Sequence, residues 1–254
     1  MKLRIFLMIG LSLFSNTAVI VQAQGLKIPQ NIPLERAPNL PGPKIPGGIK
    51  PIENRPKNVR LVVDEIHAHT TTEKTNFLGI GNTDDELYFT VIGGSSKGII
   101  NIPRLSPPPP QDYFSTPPGG THNNIELIQH QIEQGKSMKA IVTAADQDNA
   151  QLPAIVDLAK GTAEALGAIF IDASLSAAAK EDLKNGAIKL FNSIGANGDD
   201  PIGGFTVEVI NNNNTLKATW TPGAATQMLH SDDTSATFKS NGSKSDYTYR
   251  VSIK

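Results

Sequence analysis

Cysteine is absent from this 254-residue sequence, and histidine and tryptophan are scarce, with five and one residues respectively. Without a thiolate the chain cannot form a disulfide scaffold, a cysteine-ligated zinc site or an iron–sulfur cluster, and it has no thiol nucleophile. A strong charge of one sign is also missing. Lys and Arg total 23 against 24 Asp and Glu, and the formal net charge of -1 argues against a nucleic-acid binder.

The first 23 residues have the layout of a secretory signal peptide. Lys2 and Arg4 precede an apolar run over 5–14, and the small residues Val21 and Ala23 suit cleavage after Ala23. The apolar run is shorter than the roughly 20 residues that cross a bilayer. We therefore expect export to the periplasm or beyond the cell, in a bacterium, and a mature chain that is not transmembrane.

Residues 24–57 hold eight of the 18 prolines. Because proline removes a backbone donor and fixes φ, this segment is predicted to be an extended, disordered arm that acts as a tether. A docking peptide for the groove of a partner is the alternative. The arm carries six basic and two acidic residues, whereas residues 58–254 carry 15 basic and 22 acidic ones, a net charge of -7. A cation is therefore the first ligand to test for this acidic part.

Residues 58–254 are predicted to form one mainly β domain, an antiparallel sandwich. Segments that are rich in β-branched residues or that alternate between apolar and polar residues predict its strands. The predicted strands are 59–69, 86–92, 138–144, 205–210, 216–220 and 246–253. The asparagine run 211–214 predicts a hairpin, because asparagine tolerates the left-handed geometry of a tight connection.

Helical patterns interrupt the strands in the middle of the chain. Apolar stripes at helical spacing over 152–170 and 175–194 predict a helical hairpin inserted at about 150–196. Its alanine-rich face predicts close packing against the sandwich, and a membrane-inserting or partner-binding element is the alternative. A further short helix is predicted over 123–134, because Ile125, Ile128 and Ile132 are also helically spaced.

Acidic residues gather at the ends of predicted strands. The groups are Asp84, Asp85 and Glu86; Asp146 and Asp148; Asp199 and Asp200; and Asp232 and Asp233. Close like charges repel by about 1 kcal/mol or more per pair unless a cation or a hydrogen-bond donor relieves them. Calcium takes six to eight oxygen ligands and suits such a cluster. The alternative is that aspartate occupies turns here for local hydrogen-bonding reasons.

The order of three motifs resembles a C2 domain. They are NTDDELYFTV, VTAADQDNA and NGDDPIGGFTVEV, which are similar to the family's acidic strand entry, its D-x-D pair and its D-F-I-G turn. The resemblance implies a C2-like antiparallel β-sandwich whose loops at one end bind Ca²⁺ and, in many members, acidic lipid head groups. The metal ligands it implies are Asp85, Asp146, Asp148 and Asp200, assisted by Asp84 or Asp199. About 50 residues with both helices replace the family's short loop between the last two motifs.

Other chemistry is less well supported by the residues. His67 and His69 in HAH point to one face of a strand, as two ligands of a metal hydrolase can, but we expect exposed strand histidines because repeated βα units are lacking. No G-x-S-x-G motif occurs. The sequence thus predicts a monomeric, non-enzymatic binding or structural module with a protein or lipid head-group partner. The alternatives are a secreted effector or adhesin component and a hydrolase with its site at the loop end.

Overall fold

A group of helices separates two blocks of strands along the chain. The computed structural model describes residues 55–71, 84–107, 113–148, 152–171, 175–240 and 246–254, all of them within the unit Lys50–Lys254. Its strands there are β1 (Lys57–Thr70), β2 (Asp85–Ser95), β3 (Gly98–Ser106), β4 (Phe114–Thr116), β5 (Thr121–Ile132), β6 (Ser137–Asp146), β7 (Asp200–Asn212), β8 (Thr215–Pro222), β9 (Thr226–Ser231), β10 (Ser235–Ser240) and β11 (Asp246–Ile253). Its helices are α1 (Leu152–Ala165), α2 (Gly167–Ile171) and α3 (Ala177–Ala196).

The predicted signal peptide, 1–23, lies outside the described residues, and so does the predicted arm, 24–57, apart from its last three residues. Both therefore stay predictions. Within the described residues, the expectation of a mainly β chain with antiparallel sheets is confirmed.

The strands form two antiparallel sheets. Sheet A has the order β5-β1-β11-β10-β9, and sheet B has the order β3-β2-β6-β7-β8 with β4 paired to β2. One face of each sheet contributes to a shared apolar core, in which Leu61, Phe89, Phe205, Phe238 and Tyr249 are almost fully buried. Alternation along each strand places these side chains on the inner faces, so the two sheets pack as a sandwich.

The asparagine run forms the tight hairpin that the sequence predicts. Asn212 pairs with Thr215, so only Asn213 and Asn214 connect β7 to β8. Both have positive φ, 50° and 59°. Two left-handed residues in a two-residue loop match the twist of the flanking strands, which explains why asparagine stands at both positions.

The three helices cover the outer face of sheet B. A second apolar cluster joins Tyr88 and Ile141 of that face to Phe170 of α2 and to Leu183 and Leu190 of α3. This packing agrees with the expectation that the apolar faces of the helices lie against the sandwich. The sequence predicts a hairpin of two helices here, and the structure has three, because the first predicted segment is divided into α1 and α2.

The helix predicted over 123–134 is wrong, because these residues belong to β5, which pairs with β1. Leu61 pairs with Ile128 but the next residue, Val62, pairs with Glu126, so Leu127 is an extra residue in β5. Such a bulge shifts the alternation of side chains by one position. Ile125 and Ile128 therefore both reach the core from a strand, although their spacing of three is typical of a helix.

Candidate functional site

The acidic motifs meet at one end of sheet B. The start of β2, the end of β6 and the start of β7 lie side by side, because β2-β6-β7 are antiparallel neighbours. Asp146 pairs with Leu87 on one side and with Asp200 on the other. The helical insertion therefore does not separate the second motif from the third. We call this region the acidic end of sheet B, defined by Asp84, Asp85, Asp146, Asp148, Asp199 and Asp200.

Three members of the acidic end are buried. Asp85, Asp146 and Asp199 expose no more than 1% of their surface. Asp85 Oδ2 accepts a 2.6 Å hydrogen bond from the Tyr247 hydroxyl, and Asp199 Oδ2 accepts one of 2.7 Å from the Tyr88 hydroxyl. Asp146 Oδ1 accepts a 2.5 Å bond from the backbone N–H of Glu86. Buried carboxylates need such donors, because an unpaired charge is costly to remove from water.

The electrostatic effects of these carboxylates overlap. Burial raises the pKa of Tyr88 well above its ordinary value, and the hydrogen bond and charge of Asp199 raise it further. Burial and Asp85 act in the same direction on the pKa of Tyr247. The charge of Asp146 raises both tyrosine pKa values. Asp146 is thus the residue that couples the two pairs electrostatically, and both phenols stay protonated as donors across the physiological range.

The other three members lie closer to solvent. Asp84 and Asp200 are half-buried and Asp148 is exposed. The Ser115 hydroxyl donates a 2.7 Å hydrogen bond to Asp84 Oδ2. In the described parts of the chain, no group of three or more His, Cys, Asp or Glu side chains is arranged to hold a metal ion. Calcium binding by these aspartates stays a prediction.

The tyrosine partners of the buried aspartates were not identified from the sequence. Tyr88 and Tyr247 lie 111 and 162 residues from their carboxylate partners along the chain. The only local signal is that both tyrosines stand in predicted strands near an acidic residue. That signal does not specify which phenol meets which carboxylate. The contact of Tyr247 depends on how the sheets stack, and that of Tyr88 depends on where β2 and β7 stand in sheet B.

The two histidines of β1 lie on the opposite side of the sandwich from the helices. His67 is half-buried and His69 is exposed on the outer face of sheet A. Their ring centroids are 4.6 Å apart and the ring planes make an angle of 78°. The expectation of strand histidines on one face, open to solvent, agrees with this placement.

The helical layer buries most of its apolar surface. Ala159, Ala163, Leu183 and Leu190 are all under 4% exposed and pack on sheet B. Between α1 and α3 a groove of about 590 Å³ remains, with the charged residues Asp157 and Lys189 among its walls. In the described part of the chain, no helix is both long and apolar enough to span a membrane.

Comparisons with known proteins give no relative from which a role could be transferred. No family model matches the chain, and no curated protein or solved structure is significantly similar to it.

Proposed function

We propose that this chain is an exported, non-enzymatic binding module of C2-like architecture that takes up calcium at the acidic end of sheet B. The observation that carries the proposal is the meeting of three acidic strand ends. Asp85, Asp146 and Asp200 come from distant parts of the sequence and stand on adjacent strands, with Asp146 and Asp200 in register. This is the convergence that the resemblance implies.

The members of the acidic end that lie closer to solvent and those that are buried would have different roles in binding. Asp84, Asp148 and Asp200 lie closer to solvent and would supply carboxylate oxygens to the ion, with water completing the six to eight ligands that calcium takes. Asp85, Asp146 and Asp199 are buried and would add negative potential. Water on the ion could then be exchanged for a carboxylate or phosphate oxygen of a protein or lipid head-group partner.

The state of the buried carboxylates supports binding over hydrolysis. A catalytic carboxylate must come within hydrogen-bond reach of the substrate. Asp85, Asp146 and Asp199 expose at most 1% of their surface, and each accepts a hydrogen bond from a tyrosine hydroxyl or the backbone. The hydrolase alternative would need these contacts to open.

The effector or adhesin alternative gains little from the helices. Their apolar faces pack on sheet B, and among the large hydrophobic side chains of the described helices Ile171 alone is exposed, whereas a docking surface needs a contiguous patch. A partner that binds this module would use its polar surfaces or the predicted arm.

Calorimetric titration with calcium chloride, using the chain from residue 24 onward, tests the calcium site. We expect binding heat and a raised melting temperature at millimolar calcium, because a ligand of the folded state stabilises it. Asp146→Asn with Asp148→Asn should abolish both effects, and so should Asp148→Asn with Asp200→Asn, which leaves the buried residues unchanged. Asp232→Asn, in a distant turn, is the matched control. No heat and no melting shift at millimolar calcium would overturn the proposal.

Export and the monomeric state are proposed from the sequence. Expression with secretion in a bacterial host should yield a mature chain that begins at Gln24, as read by N-terminal sequencing. A soluble product that still begins at Met1 would contradict export. Size-exclusion chromatography with light scattering should give the mass of a single chain.

A further inference from the structure

The outer face of sheet A presents two imidazole rings side by side. His67 and His69 are separated by one residue in β1, so both side chains point away from the core. Their ring centroids lie 4.6 Å apart, with the planes at 78°. The helices pack on sheet B and leave this pair accessible to solvent.

A threonine on each neighbouring strand holds one of the rings. Nδ1 of His67 lies 2.9 Å from the Thr121 hydroxyl of β5, and Nε2 of His69 lies 2.9 Å from the Thr248 hydroxyl of β11. Both threonines are in register with His67. When the hydroxyl accepts from the ring N–H, the lone pair of the imidazole is on the other nitrogen. Hydrogen bonds of this kind set the tautomer and ring orientation of metal-binding histidines.

From this geometry we infer that His67 and His69 form a binding site for a divalent transition-metal ion, zinc or copper. The ligands are Nε2 of His67 and Nδ1 of His69, and water fills the remaining positions. Two nitrogens at the usual zinc distance in tetrahedral geometry lie about 3.3 Å apart, which rings with centroids at 4.6 Å can reach. Imidazole favours zinc, copper and nickel, whereas calcium favours oxygen.

Nearby positive charges on the same face are balanced. Lys239 Nζ lies 3.1 Å from Asp246 Oδ2, and Arg250 lies 3.7 Å from Glu65. The positive charges of Lys239 and Arg250 are therefore balanced by Asp246 and Glu65 and do not repel an incoming cation. Because only two protein side chains bind it, the ion would keep water ligands and would exchange readily.

Calorimetric titration of the untagged chain with zinc sulfate, and separately with copper sulfate, tests the site. We expect one ion per chain, and loss of this binding in His67→Ala and in His69→Ala. Thr121→Val with Thr248→Val keeps both ligands and should weaken binding by about 10- to 100-fold, because the rings lose their orienting partners. His230→Ala removes another exposed histidine of the same sheet and should bind as the wild type does.

The result that would overturn the site is absence of binding by the wild type, or equal affinity in the variant that lacks both His67 and His69. Melting curves in chelator show whether each variant is folded, and the two histidines lie outside the core. The outcome is independent of the calcium proposal. Asp148→Asn with Asp200→Asn should leave the zinc titration unchanged, and His67→Ala should leave the calcium titration unchanged.

Discussion

The Tyr247 hydroxyl donates a 2.6 Å hydrogen bond to Asp85 Oδ2 and thereby connects the two sheets at one end of the core. Tyr247 belongs to β11 of sheet A and Asp85 to β2 of sheet B, and neither exposes measurable surface. A buried carboxylate needs a hydrogen-bond donor, and here the donor comes from the opposite sheet. The contact therefore links the alignment of the two sheets to the satisfaction of one buried charge.

Removing this donor should destabilise the fold. Tyr247→Phe keeps the ring and deletes the hydroxyl, so we expect a loss of about 1.5–3 kcal/mol in the free energy of unfolding, the range for hydrogen bonds to charged groups. Tyr249→Phe is the matched control, because that hydroxyl lies 3.3 Å from the neutral Thr226 hydroxyl and should cost about 0.5–1.5 kcal/mol. Urea unfolding at neutral pH measures both. Equal losses in the two variants would contradict the assignment of a charged acceptor.

Asp232, in the turn between β9 and β10, should make the free energy of unfolding depend on pH under acidic conditions. Backbone and side-chain hydrogen bonds from Thr234 and Ser235 lower the pKa of Asp232 to about 2 from an ordinary value of 3.8. A carboxyl whose pKa is lower in the folded state stabilises the fold above its unfolded pKa. That contribution is lost as the pH falls from about 3.8 towards 2.

Melting temperatures of the wild type and Asp232→Asn, measured from about pH 6 down to about pH 2, test this effect. This range includes the ordinary and the lowered pKa of Asp232. We expect the wild type to be the more stable at pH 6 and the difference to shrink through the stated window. Asp233→Asn is the control, since Asp233 lies beside it in an ion pair with Lys217. A difference that stays constant down to pH 2 would refute the assignment.

The contact between sheet B and the helical layer depends on Gly94. A Cβ atom at this position would lie 2.4 Å from Cβ and Cγ of Phe170, which is fully buried in α2. Gly94→Ala should therefore cost about 1–3 kcal/mol through overpacking. Gly161→Ala is the opposite case, because a Cβ there meets nothing within 4 Å and lies inside α1. It should stabilise the protein by about 0.5–1 kcal/mol, the helical advantage of alanine. Thermal unfolding of both variants distinguishes the effect of overpacking at Gly94 from the effect of helix propensity at Gly161.

The side chain of Ser176 caps the start of α3. Ser176 Oγ accepts a 3.1 Å hydrogen bond from the backbone N–H of Ala179, one of the donors that a helix leaves unpaired at its first turn. Ser176→Ala should lower stability by about 1 kcal/mol, and Ser176→Asp should retain it. Chemical unfolding monitored by circular dichroism measures the change. An unchanged midpoint in Ser176→Ala would show that the cap contributes nothing.

Regular alternation revealed β11, and an irregular register concealed β5. Tyr247 and Tyr249 in β11 point inward with a polar residue between them, so the period of two indicated a strand. In β5 the extra residue Leu127 changes that period, and the isoleucines imitate a helix. A bulge is a property of pairing with β1, and one strand read alone does not reveal it.

The candidate site, too, could be predicted from the sequence only in part. The sequence indicated that the aspartates cluster at the ends of strands. Their burial could not be inferred from it. Asp85 is buried while the next residue of β2, Glu86, is half-buried, because successive residues of a pleated strand point in opposite directions. Which direction meets the core is set by the register of β2 against β6.

Local chemistry settled what can be read from composition and short spacings: no disulfides, a tight asparagine turn, amphipathic helices, and an acidic sequence over 58–254 that follows a basic one over 24–57. These follow because propensity, charge and covalent chemistry act over a few residues. Stacking of the sheets decided that Tyr247 meets Asp85. The placement of β2 and the start of β7 within sheet B decided that Tyr88 meets Asp199. The pairing of β1 with β5 and β11 decided that threonines of those two strands hold His67 and His69. Contacts between residues more than a hundred positions apart arise only when the strands pair and the layers close, since nothing in the local sequence fixes that register.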